Sequence, residues 1–525
     1  MERAFTRCIN PANGELIGES PMHTPDEVKA IIIKARQAQR NWGLRPLKER
    51  KAYLRKLAYY ISQNRNEIAE AIHRDNGKTM IDALTTELLP AMMALDYYIK
   101  LSGKFLKPHK LRAGNWLLAY KRSSIYRVPF GVVGIISPWN YPFAIPFSEV
   151  VMALLAGNSV LLKTATETQW VGRILEKVFL SANMPEGVFN YVNIGGRDAG
   201  KLFLAERPNG VDKLFFTGSV ATGKLLMALA AKTLTPLSLE LGGNDAMLVC
   251  DDADLDRTAK GAVWAGLSNA GQSCGGVERI YVHEKVYDSF LEKLKKEVER
   301  LRVGAAPGAF TYDMGAMSID SQIEVVQAHI ADALGKGAKI FVQSQAPKSS
   351  SGKWLPATVL INVNHTMQVM QDETFGPVLA IMKFQTFDEA IALANDSYLG
   401  LTASVWSKNR RKAVELGKRI QAGAITINDH LMSHGLAETP WGGFKESGIG
   451  RTHGKLGFDE MTEPQVIVED ILPFVKQNMW WQPYSKKVWD GICGITDFLY
   501  GDGIRRRLTG TIQMLKLFFR MFRRD

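Results

Sequence analysis

The sequence has few of the features that mark secreted, metal-binding or membrane-spanning proteins. Its 525 residues include only four cysteines, Cys8, Cys250, Cys274 and Cys493, which form no CxxC pair. We therefore expect no disulfide framework and no metal site, and a special cysteine would be special for its reactivity. No apolar run reaches about 18 residues and the N-terminus has no apolar core, so neither a membrane span nor a secretory signal is expected. A cytoplasmic protein is the simplest interpretation.

A basic surface spread over the whole chain is also lacking, although the net charge is +12. Residues 476–525 contain ten lysines and arginines, four aspartates and no glutamate, so they supply six of the twelve excess charges. Such a local excess predicts a basic tail rather than a nucleic-acid-binding surface. No nucleic-acid partner is expected.

Strand-like apolar runs and helical segments, by contrast, are abundant and alternate along the chain. Thr24-Pro-Asp-Glu predicts the start of a helical region that reaches about Asp75. The predicted buried strands lie near 132–137, 159–163, 188–193, 213–217, 246–249, 278–282, 378–384, 403–406 and 424–428. This alternation predicts an α/β protein with parallel sheets in two lobes.

Three residues have surroundings suited to acyl chemistry. Cys274 lies between a Gly-rich turn and a predicted strand, where a thiol can attack an aldehyde, although a lone cysteine is more often a small buried apolar residue. Its site must either lower the thiol pKa or relay the thiol proton. Glu240 lies between two leucines, so we expect a raised pKa suited to a general base, unless the carboxylate is ion-paired. Asn140, in a Pro-bracketed loop, can aim its amide at an oxyanion or form an Asx turn.

A fourth segment, Phe216-Thr-Gly218-Ser219, follows a predicted strand and opens a helix. Its glycine allows the backbone to approach a phosphate, and the N-terminus of a helix favours negative charge. The signal is weak by itself because the segment is not the GxGxxG fingerprint.

Together these segments resemble the aldehyde dehydrogenase superfamily from about Asn10 to about Val468. The matching segments follow the order of the family: Pro138-Trp-Asn140, Lys163, Phe216-Thr-Gly-Ser219, Leu239-Glu240-Leu-Gly-Gly, Gly271-Gln-Ser-Cys274, Glu373-Thr-Phe375-Gly-Pro and Pro440 to Arg451. The resemblance implies a Rossmann-type cofactor domain (1–113 and 132–239) and an α/β catalytic domain (240–430). It also implies a small β oligomerisation arm (114–131 and 462–472), and hence a homodimer or homotetramer.

The resemblance also implies roles for single residues. Cys274 would be the nucleophile, Asn140 and the backbone N–H of Cys274 the oxyanion hole, and Glu240 the base for the thiol or for water. The residues implied to bind NAD or NADP are Lys163 and Thr166 at the adenosine ribose, Gly218 and Ser219 at the pyrophosphate, Glu373 at the nicotinamide ribose, and Phe375 and Trp139 beside the ring. Aldehyde, NAD(P)⁺ and water would give the acid and NAD(P)H.

Two positions depart from the family pattern. NAD-preferring members commonly carry Glu where Thr166 stands, so loss of this carboxylate predicts that NADP⁺ is accepted, unless the adjacent Glu167 takes its place. Thr452 stands where many relatives carry a Glu of a proton relay, so hydrolysis would depend on Glu240 alone.

The tail, residues 476–525, extends beyond the usual soluble form. An aromatic cluster of Trp480, Trp481, Tyr484 and Trp489 precedes a predicted helix, 504–524, which has one broad apolar face and one basic face. We expect peripheral contact with the cytoplasmic face of a membrane, rather than docking on protein, and hence a lipophilic aldehyde substrate. Two alternatives remain: a CoA-acylating relative, which would generally lack Glu240, and a catalytically silent membrane scaffold.

Overall fold

The computed structural model describes residues 3–305, 310–348, 351–472 and 474–522. The chain divides into two compact units. The first comprises Met1–Lys107 and Arg127–Glu463, and the second comprises Pro108–Tyr126 and Pro464–Asp525. The structure confirms the predicted α/β class.

The strands and helices of the described residues are numbered in chain order. The strands are β1 (Phe5–Ile9), β2 (Leu16–Pro21), β3 (His109–Lys110), β4 (Lys121–Pro129), β5 (Val132–Ile136), β6 (Ser159–Lys163), β7 (Phe189–Tyr191), β8 (Lys213–Thr217), β9 (Leu237–Glu240), β10 (Asp245–Val249), β11 (Val277–His283), β12 (Lys339–Gln343), β13 (Thr358–Ile361), β14 (Val378–Phe384), β15 (Leu399–Gly400), β16 (Thr402–Trp406), β17 (Ala424–Ile427), β18 (Phe444–Lys445), β19 (Gly448–Ile449) and β20 (Thr462–Asp470). The helices are α1 (Pro25–Leu44), α2 (Leu47–Asn76), α3 (Met80–Asp82), α4 (Leu89–Phe105), α5 (Ala144–Ala156), α6 (Gln169–Leu180), α7 (Gly196–Phe203), α8 (Val220–Ala230), α9 (Leu255–Leu267), α10 (Tyr287–Glu299), α11 (Asp320–Gly335), α12 (Gln368–Gln371), α13 (Phe387–Asn395), α14 (Arg410–Gly417), α15 (Met432–Gly435), α16 (Gly454–Glu460), α17 (Lys486–Tyr500) and α18 (Ile504–Phe518).

Two large sheets organise the first unit. In one sheet the strand order is β19-β9-β8-β5-β6-β7, and all neighbours are parallel except β19. In the other the order is β12-β13-β14-β11-β10-β16-β17, and only β12 is antiparallel. Their central strands are buried because helices cover the faces of such sheets. Ligands of parallel sheets bind at the carboxyl ends of the strands, and here these ends lead to Asn140, Lys163 and Glu240.

The N-terminal helical region begins where the sequence predicts. Thr24 caps α1, and its side chain and that of Glu27 form a reciprocal capping box. The predicted region is divided in two: α1 ends before Arg45-Pro46 and α2 begins after it, because proline restricts the preceding residue to extended backbone.

The second unit contains a three-stranded sheet, ordered β20-β4-β3, and a hairpin of α17 and α18. Its core contains Met479, Val488, Leu517 and Met521. In the described residues, no helix has the length and apolarity needed to cross a membrane.

The structure corrects two details of the prediction for the second unit. Trp116–Leu118 forms a 3-10 turn rather than part of an extended segment, which begins only at Lys121. The α-helix predicted over 504–524 ends at Phe518 and continues as a 3-10 turn to Phe522, while Arg523 and Arg524 lie outside the described residues. The sequence also gave no indication of α17.

Candidate active site

Cys274 follows a turn whose backbone is strained. Asn269 and Ala270 both have left-handed backbone, with φ of 53° and 54°. This conformation is costly for residues other than glycine, so the surrounding structure must hold it. At Gly271 (φ 71°) a side chain would collide with the carbonyl group of Gly376, so the close approach requires glycine. The turn leads into β11 and presents the Cys274 thiol to a cavity.

The surroundings of Cys274 favour the thiol over the thiolate. Burial raises its pKa far above the usual range, and the carboxyl groups of Glu373, Asp245 and Glu240 raise it further. Of the two routes that the sequence leaves open, the structure therefore favours relay of the thiol proton to a base over a lowered thiol pKa.

Glu240 is the last residue of β9 and is 5% exposed. Neither oxygen of its carboxyl group has a hydrogen-bond partner among the described residues. Burial raises its pKa well above the ordinary value, and the carboxyl group of Glu149 raises it further, while Arg451 partly opposes both effects. The direction of this shift is the one that the sequence predicts, and Glu240 forms no ion pair within the described residues. A side chain at Gly442 would lie 3.0 Å from Oε1 of Glu240, so glycine leaves room beside this carboxyl group.

Asn140 lies in the loop between β5 and α5 and is buried. Its Nδ2 donates to the carbonyl oxygen of Gln272, two residues before Cys274, at 3.2 Å, and its Oδ1 has no partner. A side-chain amide carries two N–H groups, so the second one stays available to an oxyanion. The backbone carbonyl of Asn140 accepts from Asn269 Nδ2 at 3.0 Å and from Lys78 Nζ at 2.9 Å.

A buried ion pair that sequence reasoning missed supports this loop. Lys78 and Glu87 are fully buried, and Lys78 Nζ lies 2.6 Å from Glu87 Oε1. The other carboxylate oxygen of Glu87 accepts from the backbone N–H groups of Phe143 and Ala144 at 3.1 and 2.7 Å, at the start of α5. Lys78 Nζ is also 4.3 Å from the ring centroid of Tyr141. Lys78 thus fixes the backbone at Asn140, and Glu87 fixes the backbone that follows it, at Phe143 and Ala144. The residues next to Lys78 in the sequence do not predict this, because the residues that bury it are distant in the chain.

The residues predicted for the nicotinamide end of the cofactor lie close together. The rings of Trp139 and Phe375 meet edge to face, with centroids 5.4 Å apart. Glu373 Oε1 accepts from the backbone N–H of Gly243 at 3.0 Å. Glu278, which the sequence analysis did not single out, accepts from the backbone N–H of Phe375 at 2.8 Å. This hydrogen bond fixes the loop that carries Glu373 and Phe375.

Lys163 lies at the end of β6, and burial lowers its pKa. Its ammonium group makes no hydrogen bond within the described residues, so a buried donor is available to a ligand hydroxyl or phosphate. Thr166 and Glu167 are exposed nearby, and the charge of Glu167 acts on Lys163. Gly218 precedes Ser219, whose side chain caps α8, so this helix begins next to the same strand ends. These donors and the Trp139–Phe375 ring pair fit a dinucleotide cofactor.

A cavity of about 160 Å³ opens at Cys274. Its lining contains no charged side chain and comprises Thr85, Thr86, Leu89, Pro90, Met93, Tyr141, Ile145, Trp264, Ser268, Ser273, Cys274, Gly275, Leu431, Met432, His434, Gly435 and Trp441. The rings of His434 and Trp441 stack edge to face, with centroids 4.9 Å apart. Burial lowers the pKa of His434 to about 4, so this side chain is neutral as well. The cavity therefore suits an apolar substrate.

Comparison with known proteins places the chain in a family. Residues 2–467 match the model of the aldehyde dehydrogenase family, and the chain belongs to this family. A 4,4'-diapolycopene aldehyde oxidase of a Methylomonas species is 37% identical over 495 residues, which cover 94% of this chain and 91% of that protein. A protein of Mycobacterium ulcerans (strain Agy99), provisionally named succinate-semialdehyde dehydrogenase (NADP(+)) 2, is 34% identical over 464 residues, or 88% of each chain.

Solved structures agree with this assignment. An NAD-dependent aldehyde dehydrogenase from Sinorhizobium meliloti superposes with a TM-score of 0.85 at 32% identity, over 91% of this chain and 93% of that one. A betaine aldehyde dehydrogenase from Staphylococcus aureus in complex with NAD⁺ gives a TM-score of 0.84 at 29% identity, over 91% and 94%. The predicted aldehyde dehydrogenase fold is confirmed. The protein is an oxidoreductase of the EC 1.2.1 type, and its cofactor is NAD or NADP.

Proposed function

We propose that the protein oxidises lipophilic aldehydes, fatty or aromatic, to carboxylic acids through a thiohemiacetal and a thioester on Cys274. The observation that carries this proposal is the position of Cys274 at an uncharged cavity, within the electrostatic reach of the unpartnered Glu240 carboxyl group. An intact base also argues against a CoA-acylating enzyme and against a silent scaffold.

The proposed chemistry uses three residues in sequence. Glu240 takes the thiol proton of Cys274, and the sulfur bonds to the carbonyl carbon. The Asn140 amide and the Cys274 backbone N–H donate to the oxyanion that forms. The chemistry that NAD(P)⁺ supplies when bound is acceptance of the hydride from this carbon, which leaves a thioester. After the first proton has passed to solvent, Glu240 takes a proton from the water that attacks the thioester, and rupture of the C–S bond releases the acid.

The substrate class rests on the cavity lining. A semialdehyde that carries a carboxylate would need a cation for the acid group, and the lining offers no lysine or arginine. The name of the Methylomonas relative, 4,4'-diapolycopene aldehyde oxidase, points in the same direction.

A panel of aldehydes tests this proposal. We expect decanal and benzaldehyde to produce NAD(P)H with kcat/KM at least about tenfold higher than succinate semialdehyde does, a difference of about 1.4 kcal/mol in the transition state. Cys274→Ala should abolish the reaction, and added CoA should not change its rate. Preference for the charged semialdehyde, or a rate that depends on CoA, would overturn the assignment.

The cofactor is proposed to lie across residues 1–113 and 132–239, with the catalytic domain at 240–430. In this arrangement Lys163 and Thr166 contact the adenosine ribose, and Gly218 and Ser219 lie at the pyrophosphate. Glu373 holds the nicotinamide ribose, and Phe375 and Trp139 flank the ring. Because no carboxylate stands at Thr166, the proposal includes use of NADP⁺ as well as NAD⁺.

We also propose a homodimer or homotetramer formed through the arm of residues 114–131 and 462–472. On β20 the apolar residues Val466, Ile467 and Val468 are 56%, 47% and 59% exposed, which supports a partner at this strand.

The proposal further places the protein at the cytoplasmic face of a membrane through residues 504–524. On α18 the residues Ile504, Leu508, Ile512 and Leu515 share one face and are 79%, 61%, 57% and 45% exposed. The helix packs on α17 through other residues, Met514 and Leu517 among them, so docking inside the hairpin does not cover this face.

The charges around this face support an anionic lipid surface as its partner. Arg505 and Lys516 flank one edge of the apolar face and make no ion pair within the described residues. The exposed rings of Trp481, Tyr484 and Trp489 suit the boundary between headgroups and acyl chains.

Co-sedimentation with vesicles tests the membrane contact. We expect the full chain to bind vesicles rich in phosphatidylserine and to be released by salt, since screening weakens contacts between exposed charges. Ile512→Glu should weaken binding at least about tenfold, whereas the control Thr509→Glu, off the apolar face, should weaken it less. Equal binding by a chain that lacks residues 476–525 would rule out the tail as the contact.

A further inference from the structure

Glu149 is a buried carboxyl group that the proposed mechanism leaves unused. It lies on α5, is 3% exposed, and its Oε2 has no hydrogen-bond partner in the part of the chain that the structure describes. Among the charged groups that act on Glu240, Glu149 acts most strongly. Thr217, which pairs with Glu240 across β8 and β9, also neighbours the carboxyl group of Glu149. Two buried carboxyl groups thus lie on either side of Thr217 at the end of β8, and one of them, Glu240, acts on the Cys274 thiol.

No neighbouring cation neutralises this pair. Neither Glu149 nor Glu240 forms an ion pair in the part of the chain that the structure describes. Arg451 acts on Glu240, but its guanidinium donates to a backbone carbonyl, and Glu460 is bound to Lys213 at 2.8 Å.

The group that faces Glu149 from α4 is also uncharged. It is the hydroxyl group of Tyr98, which has no hydrogen-bond partner within the described ranges, and its pKa is raised by burial. Among the charged groups that act on Glu240, the carboxyl group of Glu149 therefore has the largest effect, and no cation pairs with either group within the described residues.

Two such carboxyl groups do not ionise independently. Burial raises the pKa of Glu149 to about 8, and that of Glu240 lies well above its ordinary value. Once one group is ionised, repulsion between like charges holds the proton on the other. A base with high proton affinity is what this site needs, because the pKa of the Cys274 thiol is raised too and proton transfer is efficient between groups of similar pKa.

We propose that Glu149 is a positioning residue for the general base, because its buried carboxyl group shares with that of Glu240 the pocket beside Thr217 and so controls the charge on Glu240. The proposal rests on the proposed role of Glu240. It gives Glu149 no contact with the substrate: removal of its charge changes the protonation of Glu240, not the binding of the aldehyde.

The pH profile of kcat/KM tests this proposal. Activity requires ionised Glu240 and is lost as the pH falls through the raised pKa of this residue. Glu149→Gln and Glu149→Met both remove the repelling charge, so the acid limb should move to lower pH by about one unit. Glu149→Asp keeps the charge and should leave the limb closer to that of the unsubstituted protein. The matched control is Asp75→Asn, a buried carboxyl group whose pKa burial also raises and which does not act on Glu240.

A second measurement does not depend on the substrate. The rate at which iodoacetamide alkylates Cys274, followed by peptide mass spectrometry, should show the same inflection and the same shift in Glu149→Gln. An unmoved inflection in both charge-removing variants, or an equal shift in Asp75→Asn, would overturn the proposal. Failure of every aldehyde to reduce NAD(P)⁺ would instead count against the proposed function, because the alkylation profile needs no turnover.

Discussion

At the scale of single residues, the sequence predicts burial better than it predicts partners. The two leucines beside Glu240 are buried, and this desolvation is the largest cause of its raised pKa, as its local sequence indicates. The charges that adjust this pKa come from Glu149 and Arg451, which other parts of the chain bring to the site. Lys78 and Glu87 were not predicted for the same reason: their burial and their pairing depend on residues that only the fold brings together.

The Lys78–Glu87 pair gives a prediction about stability. Lys78→Met leaves the Glu87 carboxylate buried without its partner, which should cost about 3–5 kcal/mol. A scan of thermal unfolding should show a clear fall in Tm. We also expect a fall in kcat, because the backbone carbonyl of Asn140 loses its hydrogen bond from Lys78. The double variant Lys78→Met/Glu87→Leu should recover part of the lost Tm. If the single variant were as stable as the unsubstituted protein, the pair would not support the loop as described.

Thr166 gives a prediction about the choice of cofactor. Thr166→Glu introduces a carboxylate that repels a 2′-phosphate and can accept from a 2′-hydroxyl. The ratio of kcat/KM for NAD⁺ to that for NADP⁺ should rise at least about tenfold, as measured by steady-state absorbance. The control Glu167→Gln should change this ratio much less. If this ratio of kcat/KM values changed only in Glu167→Gln, Glu167 rather than Thr166 would be the residue that contacts the adenosine ribose.

At the scale of elements, the strands were easier to predict than the connections between them. Most predicted strands begin and end within a residue or two of the observed ones, because buried parallel strands are continuous apolar runs. The strained turn before Cys274 and the π-helical segment Ala83–Leu88 carry no such pattern. The tail helix was recognised from its apolar face, but its partner α17 was not, because attention fell on an aromatic cluster of which only Trp489 lies on this helix.

The α17–α18 hairpin depends on close packing at two glycines. A side chain at Gly510 would lie 2.6 Å from the carbonyl oxygen of Gly494 and 2.7 Å from the backbone nitrogen of Phe498. Gly510→Val should therefore separate the helices, and limited proteolysis should cut between them at least about tenfold faster. Gly114→Val, in the same unit but with open space around it, is the control. Equal protection of both variants would contradict this packing.

At the scale of the whole molecule, the proposed catalytic and cofactor residues all lie within Met1–Lys107 and Arg127–Glu463. A chain that ends at residue 475 should therefore oxidise a short, soluble aldehyde with kcat within about twofold of the full chain. With a long-chain aldehyde presented in vesicles, only the full chain should keep its rate. Loss of activity toward the soluble aldehyde would show that the tail supports the active site itself.

In the proposed mechanism, Cys274 carries the acyl group during turnover. Rapid acid quench of the enzyme with decanal and NADP⁺ or NAD⁺, followed by peptide mass spectrometry, tests it most directly. We expect a decanoyl thioester on the peptide that contains Cys274 and none in Cys274→Ala. Acylation of another residue, or steady turnover with no acyl-enzyme at any quench time and no burst of NAD(P)H, would contradict it.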